Sequence, residues 1–129
     1  MHTPKVLVVS GSAEMAGSMA AMLGVTGDEI VALTDGAEAF RRVWDDDYEV
    51  IVTELGMPGI DGRDLYMAFQ NTWPELTRRM VFVCATPTEP MVDFASRTGV
   101  PVLCEPFSLV ELRAAVQAVR TPRRAYAVV

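Results

Sequence analysis

One acidic residue stands where this chain could perform chemistry. Glu54 ends a short apolar segment and precedes a glycine-rich loop, Leu55-Gly56-Met57-Pro58-Gly59-Ile60-Asp61-Gly62. Ligands of open α/β sheets bind at the carboxyl ends of parallel strands, because the loops that follow the strands meet there. Any chemistry of this chain is therefore expected to be centred on Glu54.

A second candidate is the polar stretch Ser10-Gly11-Ser12, which lies between an apolar segment and a helix start. Backbone N–H groups at such a position can bind an anion. The stretch matches neither the dinucleotide-binding glycine pattern nor the phosphate loop with its lysine, and Glu54 would repel phosphate. A turn that needs glycine is favoured, and a small-anion or ligand-binding loop remains the alternative.

The two cysteines, Cys84 and Cys104, are too few for a disulfide scaffold or a zinc site. Cys84 ends a strand-like segment and is expected to face the same pocket as Glu54. It is then either a redox sensor or a buried inert thiol, and the second is favoured because no cation is evident nearby. Alternation along the last strand puts Cys104 and Glu105 on opposite faces, so no disulfide between the cysteines is expected.

Composition excludes several classes of function. The 129 residues are 50% hydrophobic and 22% charged, which is ordinary for one globular domain. The net charge of −6 argues against a nucleic-acid groove. The single histidine, His2, nearly excludes histidine-based catalysis. No apolar run approaches the roughly 20 residues of a membrane helix, so a cytoplasmic protein without membrane contact is expected.

Five apolar segments are predicted to be buried strands: Val6–Val9, Glu29–Thr34, Tyr48–Thr53, Met80–Cys84 and Pro101–Cys104. Each is followed by helical spacing of apolar residues, at about Ala13–Leu23, Asp35–Asp45, Gly62–Trp73, Thr88–Gly99 and Ser108–Val119. This alternation predicts an α/β fold with a doubly wound parallel sheet. Residues 1–120 are expected to form the domain, and residues 121–129 a C-terminal tail.

The acidic run Asp45-Asp46-Asp47 falls at the end of the second predicted helix. The helix dipole disfavours negative charge there. We interpret the run as a solvated helix exit rather than a metal site.

The chain resembles a response-regulator receiver domain of bacterial two-component signalling over nearly its full length. Three segments carry the resemblance: Lys5-Val6-Leu7-Val8-Val9, Leu55-Gly56-Met57-Pro58-Gly59-Ile60-Asp61-Gly62 and Pro101-Val102-Leu103-Cys104-Glu105-Pro106-Phe107. The resemblance implies a (βα)5 flavodoxin-like receiver fold with strand order 2-1-3-4-5. It also implies a role in phosphorelay signal transduction rather than in enzyme catalysis.

The side chains on which phosphorylation of receivers depends are all replaced. Receivers have an acidic pair that holds Mg²⁺, an aspartate that accepts phosphate, a Thr or Ser after strand four, a lysine before the proline, and an aromatic switch residue. The matching positions here are Ser10 and Gly11, Glu54, Cys84, Glu105 and Val102. Because Ser10 and Gly11 supply no anionic ligand, Mg²⁺ binding is expected to be weak or absent, and no other cofactor and no catalytic residue are predicted.

We therefore predict an atypical pseudo-receiver that acts by protein–protein contact without Mg²⁺-dependent aspartyl phosphorylation. The alternatives are a residual phosphoacceptor that uses Glu54, a divergent scaffold without a signalling role, and the anion-binding loop. The resemblance implies that the partners are signalling proteins, namely a histidine kinase, a regulator or an output domain, and it allows a homodimer.

The partner surface that the resemblance implies is formed by the fourth predicted helix, the fifth strand and the fifth predicted helix. Its candidate residues are Asp93, Arg97, Val102, Arg113 and Gln117. The first helix is the alternative surface, since some receivers use it to contact their kinases.

Overall fold

The computed structural model describes residues 5–25 and 27–120. Its strands are β1 (Lys5–Val9), β2 (Glu29–Leu33), β3 (Val50–Glu54), β4 (Met80–Cys84) and β5 (Val102–Cys104). Its helices are α1 (Ala13–Gly24), α2 (Gly36–Asp45), α3 (Gly62–Thr72), α4 (Pro74–Thr77), α5 (Glu89–Thr98) and α6 (Leu109–Val119). The predicted tail at 121–129 and His2 lie outside the described residues.

The five strands form one parallel sheet in the order β2-β1-β3-β4-β5, which confirms the predicted doubly wound fold and strand order. Strand β4 is apolar along its whole length and β1 is apolar after Lys5, because helices cover both faces of the sheet. Every residue of β4 is buried, as are Val6 to Val9 of β1. The carboxyl ends of all five strands therefore lie at one edge of the sheet.

Alternating side chains divide the core into two layers. One layer packs α1 and α6 against the sheet, and its members include Val8, Val52, Val83, Met19 and Leu112. The other packs α2, α3 and α5 against the opposite face, and its members include Leu7, Ile51, Phe82, Phe69 and Phe94. Side chains alternate between the two faces along a strand. The two layers therefore show on which face of the sheet each residue at the carboxyl end of a strand lies.

Short polar residues precede several of the helices. Ser108 accepts a hydrogen bond from the Glu111 N–H, and the Glu111 carboxylate accepts one from the Ser108 N–H, so the two residues form a capping box. Asp35 also caps its helix, through the Ala37 N–H at 3.1 Å. Glu38, three residues later, pairs with Arg41 on the same helix rather than with Asp35.

The short helix α4 was not predicted. It begins at Pro74, directly after Trp73, the last residue of the third predicted helix. Proline also suits the first turn of a helix, because that position needs no N–H donor. No helix among the described residues is both long and apolar enough to cross a membrane.

The prediction that the two cysteines stay apart is wrong, since Cys84 and Cys104 form a disulfide between β4 and β5. The two residues are directly paired in the sheet, with their Cα atoms 4.7 Å apart. Both side chains lie on the face covered by α2, α3 and α5. The prediction correctly placed Cys104 away from the pocket but wrongly placed Cys84 inside it.

The first turn of α2 packs very closely against the backbone of the loop that follows Glu54. A Cβ atom on Gly36 would overlap the carbonyl oxygen of Ile60 and lie 2.8 Å from its carbonyl carbon. Gly36→Ala is therefore expected to lower the free energy of unfolding by about 2–3 kcal/mol, as for other overpacked sites. Urea denaturation would measure the change.

Gly17→Ala is the matched control, because Gly17 lies inside α1 with no heavy atom within 4 Å of the added Cβ. It is expected to raise stability by about 0.5–1 kcal/mol, since alanine is the better helix former. If Gly36→Ala changes stability by less than about 0.5 kcal/mol, the contact between α2 and Ile60 does not constrain the loop.

Candidate functional site

The Glu54 carboxylate is hydrogen-bonded to the turn between β1 and α1. Its Oε1 atom accepts a hydrogen bond from the Ser10 hydroxyl at 2.8 Å and one from the Gly11 N–H at 3.0 Å. The Ser12 N–H donates in turn to Ser10 Oγ at 3.2 Å. The turn that could have bound an anion thus binds the chain's own carboxylate.

The pairing of β1 with β3 brings these groups together. Ser10 follows β1 directly, is fully buried, and donates its backbone N–H to the carbonyl of Leu33 at 3.1 Å. Glu54 is the last residue of β3 and is half-buried. Because β1 and β3 are parallel neighbours, their carboxyl ends place the two side chains side by side.

Asp61 holds the loop after Glu54 in place. Its carboxylate accepts hydrogen bonds from the N–H groups of Gly56, Arg63 and Asp64 at 3.0–3.1 Å. Gly56 has a φ of +82°, a conformation that strongly favours glycine. Asp61 is 8% exposed, and the three donors satisfy a carboxylate that would otherwise be buried without partners. The receiver-like loop is therefore retained as a well-bonded structure.

Glu54 and Glu105 line one cavity of about 530 Å³, as the sequence predicted. The cavity lies between α1, the ends of β3 and β4, and the loop from β5 to α6. Its other lining residues include Glu14, Met15, Ala85 and Phe107. Its described lining contains several carboxylates and no lysine, arginine or histidine.

Cys84 does not belong to this cavity, which corrects its assignment to the Thr or Ser position of receivers. The strand residue that faces α1 and α6 is Val83, so the next side chain on that face is Ala85. Ala85 lines the cavity, while Cys84 is 1% exposed in the opposite core layer. Neither Cys84 nor Ala85 has a hydroxyl group, so the Thr or Ser of receivers has no equivalent at the end of β4 in either case.

The metal-binding positions also lack acidic side chains. Gly11 has no side chain, and an added Cβ would lie 3.2 Å from Met57 Cβ and 3.4 Å from Pro58 Cδ. The Ser10 hydroxyl already donates to Glu54. Among the described residues, no cluster of three histidine, cysteine, aspartate or glutamate side chains could hold a metal ion.

The other predicted residues lie away from the cavity. Val102 begins β5 at the sheet edge, pairs with Phe82 and is 38% exposed. Asp93 and Arg97 are exposed on α5 and form an ion pair at 3.1 Å. Arg113 and Gln117 are exposed on α6. The bond between Glu105 and Pro106 is cis.

The parallel sheet and the acid-bearing loops at its carboxyl edge define an α/β domain of the receiver class. A family model described as the response regulator receiver domain matches residues 6–117, and the chain belongs to this family. It is thus a receiver domain of two-component signalling. This confirms the resemblance read from the three sequence segments.

Two of the relatives that the chain matches in sequence are transcriptional regulatory proteins. The transcriptional regulatory protein PrrA of Mycobacterium tuberculosis is 30% identical over 120 residues, covering 90% of this chain and 49% of the relative. The transcriptional regulatory protein QseB of Escherichia coli O157:H7 is 26% identical over 88 residues, covering 66% of this chain and 38% of the relative. The chain spans about half the length of PrrA.

Solved structures share the fold at low sequence identity. A response regulator receiver domain protein from Clostridium thermocellum superposes with a TM-score of 0.81 at 17% identity, covering 98% of this chain and 99% of that one. The receiver domain of Francisella response regulator 1452 gives 0.78 at 24% identity, covering 91% and 96%.

Proposed function

We propose that this receiver domain is a pseudo-receiver, which signals through protein contacts without Mg²⁺-dependent phosphorylation of an aspartate. The observation that carries the proposal is the pair of hydrogen bonds from Ser10 and Gly11 to Glu54. These two positions match the acidic pair that holds Mg²⁺ in receivers. Here they supply donors that bind a carboxylate instead of carboxylates that bind a cation.

The donor chemistry argues against a magnesium site. Mg²⁺ prefers near-octahedral coordination by oxygen and is usually held by carboxylates, substrate phosphates and water. Ser10 offers a hydroxyl that is already engaged, and Gly11 offers no side chain. Glu54 would be the one carboxylate from the three matching positions, so we infer weak Mg²⁺ binding or none.

The surroundings of Glu54 also disfavour a phosphoryl group. Glu105 stands where receivers have a lysine, so the cavity offers a negative charge where a cation would pair with phosphate. Ala85 offers no hydroxyl to the phosphoryl oxygens. Glu54 is one methylene longer than aspartate, which displaces its carboxylate from the geometry that in-line transfer requires.

The same replacements argue for one fixed conformation rather than a phosphorylation switch. Receivers couple phosphorylation to an aromatic residue in strand five, and Val102 holds that position. We propose that the exposed surface of α5, β5 and α6 contacts the signalling partner directly. Its candidate residues are Asp93, Arg97, Val102, Arg113 and Gln117.

The alternative of an anion-binding loop loses support from the same hydrogen bonds. The Ser10 hydroxyl and the Gly11 N–H are the donors that an incoming anion would need, and both donate to Glu54 Oε1. An anion would have to displace that carboxylate and then lie beside it. Like charges at that distance repel, so the loop is better explained as a partner of Glu54.

Intact mass spectrometry tests the proposal directly. After incubation with a small phosphodonor and Mg²⁺, we expect no adduct of about 80 Da, the mass that a phosphoryl group adds. Glu54→Asp is expected to show none either. Ser10 and Gly11 still provide no carboxylate ligand for Mg²⁺, and Glu105 still stands where a lysine would pair with the phosphoryl group. A receiver that keeps the acidic pair, the aspartate and the lysine serves as the positive control.

Two outcomes would contradict this expectation. An adduct on Glu54 of the unmodified chain would support a residual phosphoacceptor. An adduct only on Glu54→Asp would show that the length of the acid, rather than the loss of its partners, prevents phosphorylation.

A further inference from the structure

An aromatic ladder runs from the core to the surface at the ends of α2 and α3. Phe69 in the core stacks on Phe40 with ring centroids 5.7 Å apart, and Phe40 meets Trp44 edge to face at 6.0 Å. Trp44 stacks on Trp73 at 5.5 Å. Trp44 is nevertheless 51% exposed, although tryptophan is among the side chains that gain most from burial.

The two tryptophans border an open groove of about 680 Å³, which we call the tryptophan groove. Its lining residues are Val43, Trp44, Asp45, Asp46, Asp47, Thr72 and Trp73. This lining contains three aspartates and no lysine, arginine or histidine. The groove thus combines an apolar wall with an acidic rim.

Two helix ends add to the negative potential of the groove. Asp45 is the last residue of α2, and Thr72 is the last residue of α3. The carbonyl groups at a helix C-terminus carry a partial negative charge and favour cations. Arg42 lies in the last turn of α2 and pairs with Glu38 of the same helix at 4.0 Å, whereas no basic residue lies in the last turn of α3. Both helices therefore direct their negative ends toward the same groove.

Of the rim aspartates, Asp46 is paired with a lysine of the domain and Asp45 is not. Lys5 donates a hydrogen bond to Asp46 at 2.6 Å, and this bond holds the pKa of the Asp46 carboxyl below its ordinary value. Asp45 is exposed and forms no ion pair with the other described residues. Acidic residues at a helix C-terminus lower stability. A residue that lowers stability in this way is expected where selection acts on function rather than on stability.

We propose that the tryptophan groove binds a basic segment of a partner protein. An apolar side chain of that segment packs on Trp44, and neighbouring arginine or lysine side chains pair with Asp45 and the two helix ends. Tryptophan is a frequent energetic centre of protein interfaces, and flanking charges steer the partner. The groove lies on α2 and α3, apart from the surface of α5, β5 and α6, and its function does not depend on phosphorylation.

Three labelled peptides of about 12 residues test this assignment by fluorescence anisotropy. The first combines arginine with leucine, the second replaces leucine by glycine and serine, and the third replaces arginine by glutamate. We expect saturable binding of the first peptide at least roughly tenfold tighter than of the others, because apolar contact and charge are both needed. Trp44 and Trp73 are the only tryptophans of the chain, so intrinsic fluorescence reports the same event.

Variants locate the binding. Trp44→Ala and Asp45→Lys are each expected to weaken the first peptide by roughly tenfold or more. Glu89→Lys makes the same charge change at an exposed residue that begins α5, and it should alter binding less than about twofold. Asp45→Lys should also raise the melting temperature, because it places a cation at a helix C-terminus. That increase distinguishes lost binding from lost folding.

Three results would overturn the proposal. The first is that none of the peptides binds saturably. The second is that Asp45→Lys and Glu89→Lys weaken binding equally, which would indicate non-specific attraction to the net charge of −6. The third is that replacing Arg123 and Arg124 by alanine tightens peptide binding, which would make the chain's own arginines the occupant.

Discussion

Replacing Arg120 by alanine is expected to lower the free energy of unfolding by about 3–5 kcal/mol, the range for breaking a buried ion pair by removing one partner. The Arg120 guanidinium donates to Asp28 at 2.7 and 3.2 Å and to Glu49 at 2.7 Å. The three side chains are only 8–16% exposed. Removing the cation leaves two poorly solvated carboxylates near each other, and their repulsion adds to the loss.

The location of this cluster explains why the effect should be global. Arg120 caps the C-terminus of α6, Asp28 immediately precedes β2, and Glu49 immediately precedes β3. One side chain thus joins the last helix to two strands of the sheet. Urea denaturation of the variant should show a lower midpoint with an unchanged slope, as expected when the unfolding transition stays cooperative.

Arg120→Lys and Arg113→Ala are the controls. Lysine keeps the charge but not the two-pronged geometry that binds Asp28 and Glu49 together, so we expect an intermediate loss. Arg113 is exposed on the same helix, and its removal should change stability by less than about 0.5 kcal/mol. A loss of less than about 1 kcal/mol for Arg120→Ala would contradict the expectation that these ion pairs hold the last helix to the sheet.

Most of the fold could be predicted because local patterns and tertiary structure agree. Val6–Val9 and Met80–Cys84 are continuous apolar runs, and both prove to be strands covered by helices on two faces. Ser108 and Glu111 mark the start of α6 by a hydrogen-bond pattern that spans four residues. Pro74 was ambiguous, because proline ends one helix and suits the first turn of the next.

The site was harder to predict, because a strand position must be known to one residue. The resemblance to receivers implied that Glu54 and Glu105 share a pocket, and both line one cavity. The Thr or Ser position of receivers was matched to Cys84, one residue before the residue that lines the cavity. A shift of one residue along a strand moves a side chain to the opposite face of the sheet. That shift put Cys84 in the cavity in place of Ala85 and produced the wrong disulfide prediction.

The hydrogen bonds to Glu54 depend on contacts that no local pattern contains. Ser10 and Glu54 are 44 positions apart in the sequence, and their contact requires the pairing of β1 with β3 and the conformation of two loops. The sequence predicted that Ser10 and Gly11 cannot replace a carboxylate pair. It did not predict that both residues would bind the glutamate that replaces the phosphoacceptor.

Reduction of the disulfide between Cys84 and Cys104 is expected to lower the free energy of unfolding by about 3 kcal/mol, because the bond closes a loop and restricts the unfolded chain. The two residues are separated by 20 positions, which sets the entropy of that loop. Cys84 is 1% exposed, so the protein should be reduced in denaturant and refolded with reductant before measurement. Urea denaturation of the oxidised and reduced forms gives the difference.

The variant with both Cys84→Ala and Cys104→Ala is the control, since its stability should not respond to reductant. Two free thiols titrated in the unreduced, unfolded protein would contradict the disulfide itself. Strand β5 has only three residues and pairs with β4 alone, so the reduced protein should lose amide-exchange protection first in β5. If β1 loses amide-exchange protection to the same extent, the disulfide stabilises the protein only by restricting the unfolded chain.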